Sequence, residues 1–136
     1  MLYELVYSSN ATHDVENAML ESILTEARQK NTQNDVTGLL VFNGSSFFQL
    51  IEGNKKVIEQ TFARIKEDRR HHNLSVFHSG EIKSRSFADW AMSYKRIDDA
   101  FAREGWLNWL ESQILINNTS HVQSTGRQIL RFVNNL

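Results

Sequence analysis

No cysteine and no proline occur in this 136-residue chain. Without thiols there is no disulfide, no thiolate nucleophile, no thiolate metal ligand and no photochemistry through a cysteine adduct. Without proline, no slow X-Pro isomerisation can serve as a switch. An excess of charge is missing too. Fifteen Lys and Arg face 16 Asp and Glu, for a formal net charge of −1, so nothing pulls the whole chain toward nucleic acid or anionic lipid. No apolar run approaches the roughly 20 residues that span a bilayer. Met1 leads directly into a strand-like segment rather than a basic-then-apolar signal. These absences, with the lack of disulfides, make a cytoplasmic domain with no membrane or nucleic-acid partner the expectation.

What is present is enough for one core. A chain of this length buries on the order of 68% of the surface its unfolded form exposes. Residues 2–7 are apolar and aromatic and read as a strand, ending in Ser8-Ser9-Asn10. Val15, Met19, Leu20, Ile23, Leu24 and Ala27 recur at helical spacing, with Thr12 or Asp14 as N-cap. Polar turn formers at 31–35 close that helix. Two apolar runs, 36–42 and 47–51, flank Asn43-Gly44-Ser45-Ser46, a strong hairpin signal. A second helix starts at Gly53-Asn54, buries Val57, Ile58, Phe62 and Ile65, and is expected to close at Arg69-Arg70-His71-His72-Asn73, whose cations suit a helix C-terminus. Residues 74–80 and 90–95 read as two further strands.

The order β-α-β-β-α-β-β predicts an α+β, ferredoxin-like fold: two helices on one face of a mixed five-stranded sheet, with one strand appended. Two short amphipathic helices are expected at 100–116 and 119–135. The chain divides into a core, 1–97, and a C-terminal helical extension, 98–136, that caps the sheet or forms a partner surface.

Several residues stand out from this frame. Strand alternation puts Phe47, Gln49 and Ile51 on one face and Phe48, Leu50 and Glu52 on the other. An amide that loses water without partners costs roughly 1–3 kcal/mol. Gln49 is therefore either a core amide met by nearby backbone or an amide facing a buried polar ligand, with one acceptor and two donors to offer. Tyr7, at the end of its strand, reads alone as a rim aromatic, and Asn31 as a helix-terminal turn residue. Trp90, Met92 and Tyr94 alternate along one strand face and by themselves fill core. His71 and His72 are adjacent, project differently and have no carboxylate spacing to support a metal site. Gly38 and Gly44 are not followed by Lys-Ser/Thr, so no phosphate loop is present.

Taken in order, these residues carry more than they do singly. Tyr7-Ser8-Ser9, Asn31 with Thr37-Gly38, Phe47-Phe48-Gln49 with Glu52-Gly53, the run Asp68-Arg69-Arg70-His71-His72-Asn73, and Phe87-Ala88-Asp89-Trp90-Ala91-Met92 closely resemble the BLUF family of blue-light sensors using flavin, over about residues 2–95. The resemblance implies a non-covalent flavin, FAD or alternatively FMN, between the two helices beside the sheet. It implies that Tyr7 is the redox-active phenol and that Gln49 is the switching amide between it and the flavin. Asn31 would bond the ring's polar edge, and Lys30 and Arg70 would flank the cofactor. Trp90 and Met92 would relay the signal. Ile23, Leu24, Phe62 and Ile65, with Ile58, are candidate walls. The chain departs from the family pattern at Ala88, where many members have proline, and at Glu67, where some are basic.

The implied activity is photochemistry without turnover, so no enzyme is expected, and the output is light-dependent association as a homo-oligomer or with a separate effector protein. Two alternatives stay open at this point. One is a ferredoxin-like module that binds RNA or protein without photochemistry, against which the near-neutral charge counts. The other is a small flavin-dependent reductase, for which no dinucleotide fingerprint exists.

Overall fold

A computed structural model of the chain describes residues 1–12, 17–89 and 91–96. Its elements are β1 (Leu2–Ala11), α1 (Asn17–Asn34), β2 (Thr37–Phe42), β3 (Ser46–Asn54), α2 (Lys55–Lys66), β4 (His71–Glu81) and β5 (Ser93–Arg96). The strands form one sheet in the order β4-β1-β3-β2-β5. β1 pairs antiparallel with both β3 and β4, and β3 pairs antiparallel with β2. β5 is appended parallel to β2. The crossover β1-α1-β2 leaves a gap between its strands that β3 fills, which is the split βαβ arrangement the ferredoxin-like expectation requires. The expected helices at 100–116 and 119–135 lie outside the described residues.

The local chemistry sets the ends of the elements. α1 stops where Asp35 takes a left-handed conformation, φ 55°, and the Val36 N–H bonds back to the Asn31 carbonyl at 2.8 Å. That six-to-one bond is the Schellman closure, with aspartate in the place glycine usually holds. α2 starts at Asn54, whose side chain accepts from the Lys56 N–H at 3.0 Å. It ends at Lys66, short of the expected closure at 69–73. The Asp68 carboxylate accepts the Arg70 N–H at 2.9 Å in a tight turn, and His71 then pairs with Ala11 in the β1–β4 ladder. β1 likewise runs on through Ser8-Ser9-Asn10, because ladders on both sides outweigh the turn preference of those residues. In the hairpin, Gly44 takes φ 99°, and the Asn43 side chain accepts from Ser45 N and Ser46 N.

Register places the core. Leu5, Tyr7, Leu40, Phe42, Phe47 and Ile51 face the helices and pack with Leu20 and Leu24 of α1 and Ile58 of α2. Each such apolar side chain contributes about 2 kcal/mol by leaving water. The opposite face is dry as well: Val6, Leu39, Val41, Phe48 and Leu50 are buried there, with the carboxylates of Glu4 and Glu52. One glycine matters for space. A Cβ on Gly38 would lie 2.1 Å from the Leu50 carbonyl oxygen, so β2 tolerates no side chain at that point.

Candidate functional site

Gln49 sits opposite Tyr7 on one side and Leu40 on the other in the ladders of β3. All three side chains therefore project from the centre of the sheet toward the helices. There they floor a cleft holding about 790 Å³ of atom-free space, its open mouth included. One wall is the α1 stripe Ile23, Glu26, Ala27, Lys30 and Asn31, at the i, i+3, i+4, i+7 and i+8 spacing of one helix face. The other wall is Thr61, Arg64 and Ile65 of α2, with Asp68, Arg70 and His71 beyond it. Phe47 adds to the floor.

Two polar groups meet at the floor. The Tyr7 hydroxyl donates to Gln49 Oε1, and both residues are buried, at 3% and 7% exposure. Burial, and behind it the Asp68 carboxylate, pushes the Tyr7 phenol above its ordinary value, so it stays a neutral O–H donor. Phe62 packs on the Tyr7 ring at 5.4 Å between centroids, and His71 approaches edge-on at 6.4 Å. The His71 ring is held at both nitrogens: Nε2 lies 2.7 Å from the Ile65 carbonyl and Nδ1 lies 2.8 Å from Ser9 Oγ. A carbonyl only accepts, so Nε2 carries a proton. His72 turns to the exposed side near Thr12. The two neighbours thus face different ways, and among the described residues no cluster of metal-binding side chains forms.

The other end of the Gln49 amide is held weakly. Nε2 donates to Met92 Sδ at 3.7 Å, a contact with a poor acceptor. Met92 is instead positioned through backbone. Asn31 Nδ2 donates to the Ala91 carbonyl at 2.7 Å and Arg28 Nε donates to the Met92 carbonyl at 3.1 Å. Asn31 is 4% exposed, and this bond leaves its amide oxygen as the acceptor it can offer into the cleft.

At the rim, Arg70 Nε and Nη2 bind Asp68 at 3.0 and 2.5 Å, and Nη2 also reaches Glu26 of α1 at 3.1 Å. The bonds from Arg70 hold the Asp68 carboxyl below the usual carboxylate range, and the same contact raises the Arg70 guanidinium.

The structure brings together Tyr7, Gln49, Asn31, Lys30, Arg70, Ile23 and Ile65 around this cleft, with Met92 against Gln49. It does not put Leu24 or Ile58 on the walls. Both face the packed core one helical step away. Phe62 supports Tyr7 from behind the lining. Trp90 lies outside the described residues. Sequence reasoning missed Glu26, Leu40, Arg64 and Asp68 as lining residues, and Arg28 as the support for Met92. The α1 stripe from Ile23 would have yielded Glu26, and the strand register Leu40. Nothing local marks Arg28, whose partner is 64 residues away.

The family model for BLUF, sensors of blue-light using FAD, matches residues 2–93. The chain is 40% identical over 74 residues to the blue light- and temperature-regulated antirepressor BluF of Escherichia coli (strain K12), covering 54% of this chain and 18% of that protein. The photo-activated state of BlsA is similar to it with a TM-score of 0.73 at 31% identity, covering 100% of this chain and 94% of that one. The dark-state structure of the BLUF protein BlrB gives 0.73 at 26%, covering 99% and 97%. The chain spans 18% or less of the length of the curated relatives it matches. With the family match running from β1 to the first residue of β5 and the fold shared with solved members, the chain belongs to the BLUF family of flavin-binding blue-light sensors.

Proposed function

We propose that this chain is a blue-light photoreceptor in which Tyr7 and Gln49 form the photochemical pair. The observation that carries the reading is the Tyr7 hydroxyl donating to Gln49 at the floor of the cleft. The donor set suits a flavin. Ile23, Ala27, Leu40, Phe47 and Ile65 give apolar surface for a flat ring, and Asn31 and Gln49 give placed amides for its polar edge. Lys30, Arg64 and Arg70 put cations toward the rim, where a phosphate-bearing tail would leave. Those contacts serve FAD, with FMN as the alternative. Bound there, a flavin supplies absorption of blue light and an excited state that accepts an electron.

The chain's own part is proton control. Tyr7 is the electron and proton donor, and its proton passes from the phenolic oxygen to Gln49 Oε1. The amide protonated at oxygen would pass a proton from Nε2 to the bound flavin that takes the Tyr7 electron, and return of that electron and one proton to Tyr7 would leave Gln49 as a changed tautomer or orientation. Because Met92 Sδ is a weak partner, little opposes that change at Nε2. The rearranged amide alters what Met92 meets, Met92 and Trp90 relay the signal, and it leaves as changed association with a second copy or an effector protein. No turnover is part of this scheme. The antirepressor and cyclase activities named for relatives belong to those proteins.

The test is the visible spectrum of the purified protein before and after blue light. A flavin spectrum with a small red shift that reverses in darkness is expected. Tyr7→Phe keeps the colour and loses the shift. A photocycle of normal size in that variant sinks the assignment of Tyr7, and light-independent oligomer size and partner binding sink the output.

A further inference from the structure

On the sheet face away from the cleft, Glu52 is fully buried at 0% exposure. Its carboxylate accepts from the Phe87 N–H at 2.6 Å, the Ser86 N–H at 2.9 Å and the Thr37 hydroxyl at 2.9 Å. Three donors converge on this one carboxylate. Arg85 closes the knot, donating to Thr37 Oγ1, the Glu52 carbonyl and the Asp35 carbonyl. Only residues 88–90 separate Phe87 from Ala91, whose carbonyl is held by Asn31 on the cleft side. The segment that delivers Met92 is thus gripped twice, and Glu52 lies three residues from Gln49 on the same strand.

We infer that Glu52 is a positioning residue for the photochemical amide: by fixing residues 86–87 it sets where Met92 meets Gln49, and through that contact the lifetime of the light-adapted state. The inference about lifetime rests on the photoreceptor reading above, whereas the inference about position does not. Moving Met92 away from Gln49 works against the clamp, so a weakened clamp lets the altered arrangement persist.

The experiment compares wild type with Glu52→Gln, which keeps the shape but turns an NH2 group toward donors. Thr37→Val, which removes one donor to the same carboxylate, serves if the first variant fails to fold. The readouts are the Met92 methyl resonance in the dark, assigned through Met92→Leu, and the rate of dark recovery after blue light. Expected are a displaced Met92 resonance with Met1 and Met19 unmoved, and recovery slowed about threefold or more, the scale of one weakened hydrogen bond. A role confined to stability would lower the unfolding midpoint and leave the Met92 resonance in place, which overturns the inference. A displaced resonance with recovery at the wild-type rate overturns its kinetic part. If wild type shows no reversible red shift, the photoreceptor reading fails, and the Met92 resonance still decides the clamp.

Discussion

β3 carries two buried polar residues three positions apart on opposite faces of the sheet, and they are held in opposite ways. Gln49, on the cleft face, has a phenol at one end and a thioether at the other. Glu52, on the far face, has three good donors on its carboxylate and a guanidinium bonded to its own backbone. Burial alone does not separate them, since both are nearly inaccessible. The quality of the partners does. A group with strong, saturated partners fixes geometry, because any rearrangement leaves a buried donor unpaired. A group with one strong and one weak partner can exchange what it presents at little cost. The proposed photocycle would hold a segment still while one amide changes, which calls for both kinds of group, and β3 carries one of each.

The comparison breaks most readily at Glu52. Glu52→Ala would strand the Ser86 and Phe87 N–H groups and the Thr37 hydroxyl in a dry face. The expected loss is about 3 kcal/mol of folding stability, read as a lower urea midpoint with unchanged slope. A loss under about 0.5 kcal/mol, the range of surface substitutions, would mean that water serves those donors and that the far face is no clamp.

The two faces were also unequally legible. The cleft side could be read because its residues obey periodicities: alternation put Gln49 with Phe47 and Ile51, and Asn-Gly marked the hairpin that sets the register. The β-α-β-β-α-β-β order gave the topology, since a split βαβ has few ways to close. Boundaries were read less well. Ser8-Ser9-Asn10 has turn chemistry yet lies in a strand, because pairing with β3 and β4 on both sides overrides local preference. His71 looked like the end of a helix and opens a strand, for the same reason. The Glu52 knot was not legible: Glu52, Thr37, Arg85 and Ser86 meet only through tertiary contact, and each alone reads as an ordinary polar residue. Leu24 looked as good a wall as Ile23 because adjacent helical residues share a broad apolar face, and only the packed structure decides which of them borders a cavity.

Between the two extremes lies the rim pair of Asp68 and Arg70, about a third exposed on each side. Arg70 lowers the Asp68 pKa in the folded state. A depressed carboxylate stabilises the fold above its unfolded value, near 3.9, and that contribution is lost as pH falls through the folded value. Solvent screening limits it to about 1 kcal/mol or less. Asp68→Asn should therefore lower the urea midpoint slightly at pH 7, with the gap to wild type narrowing below about pH 4 and in high salt. A gap that stays constant across that range would show that Asp68 acts through its turn bond to the Arg70 N–H rather than through charge.

The smallest effect on stability is expected where the functional effect is complete. Gln49→Leu removes an amide whose Nε2 has, among the described residues, only a thioether partner, so deleting that end costs almost nothing. The Tyr7 hydroxyl loses its acceptor, a penalty of about 1–2 kcal/mol for a buried donor. The cleft offsets part of that, because water can reach a group that lines it. Leucine adds apolar contact with Phe47 and Ile51 on the same face, worth about the same with opposite sign. The net change should fall within about 1 kcal/mol of zero, with flavin still bound and the reversible red shift gone. Equilibrium unfolding of Gln49→Leu and Glu52→Ala side by side would then separate holding from switching on one strand. If Gln49→Leu proved as destabilising as Glu52→Ala, Gln49 would be a structural amide, and the proton path from Tyr7 would need another carrier.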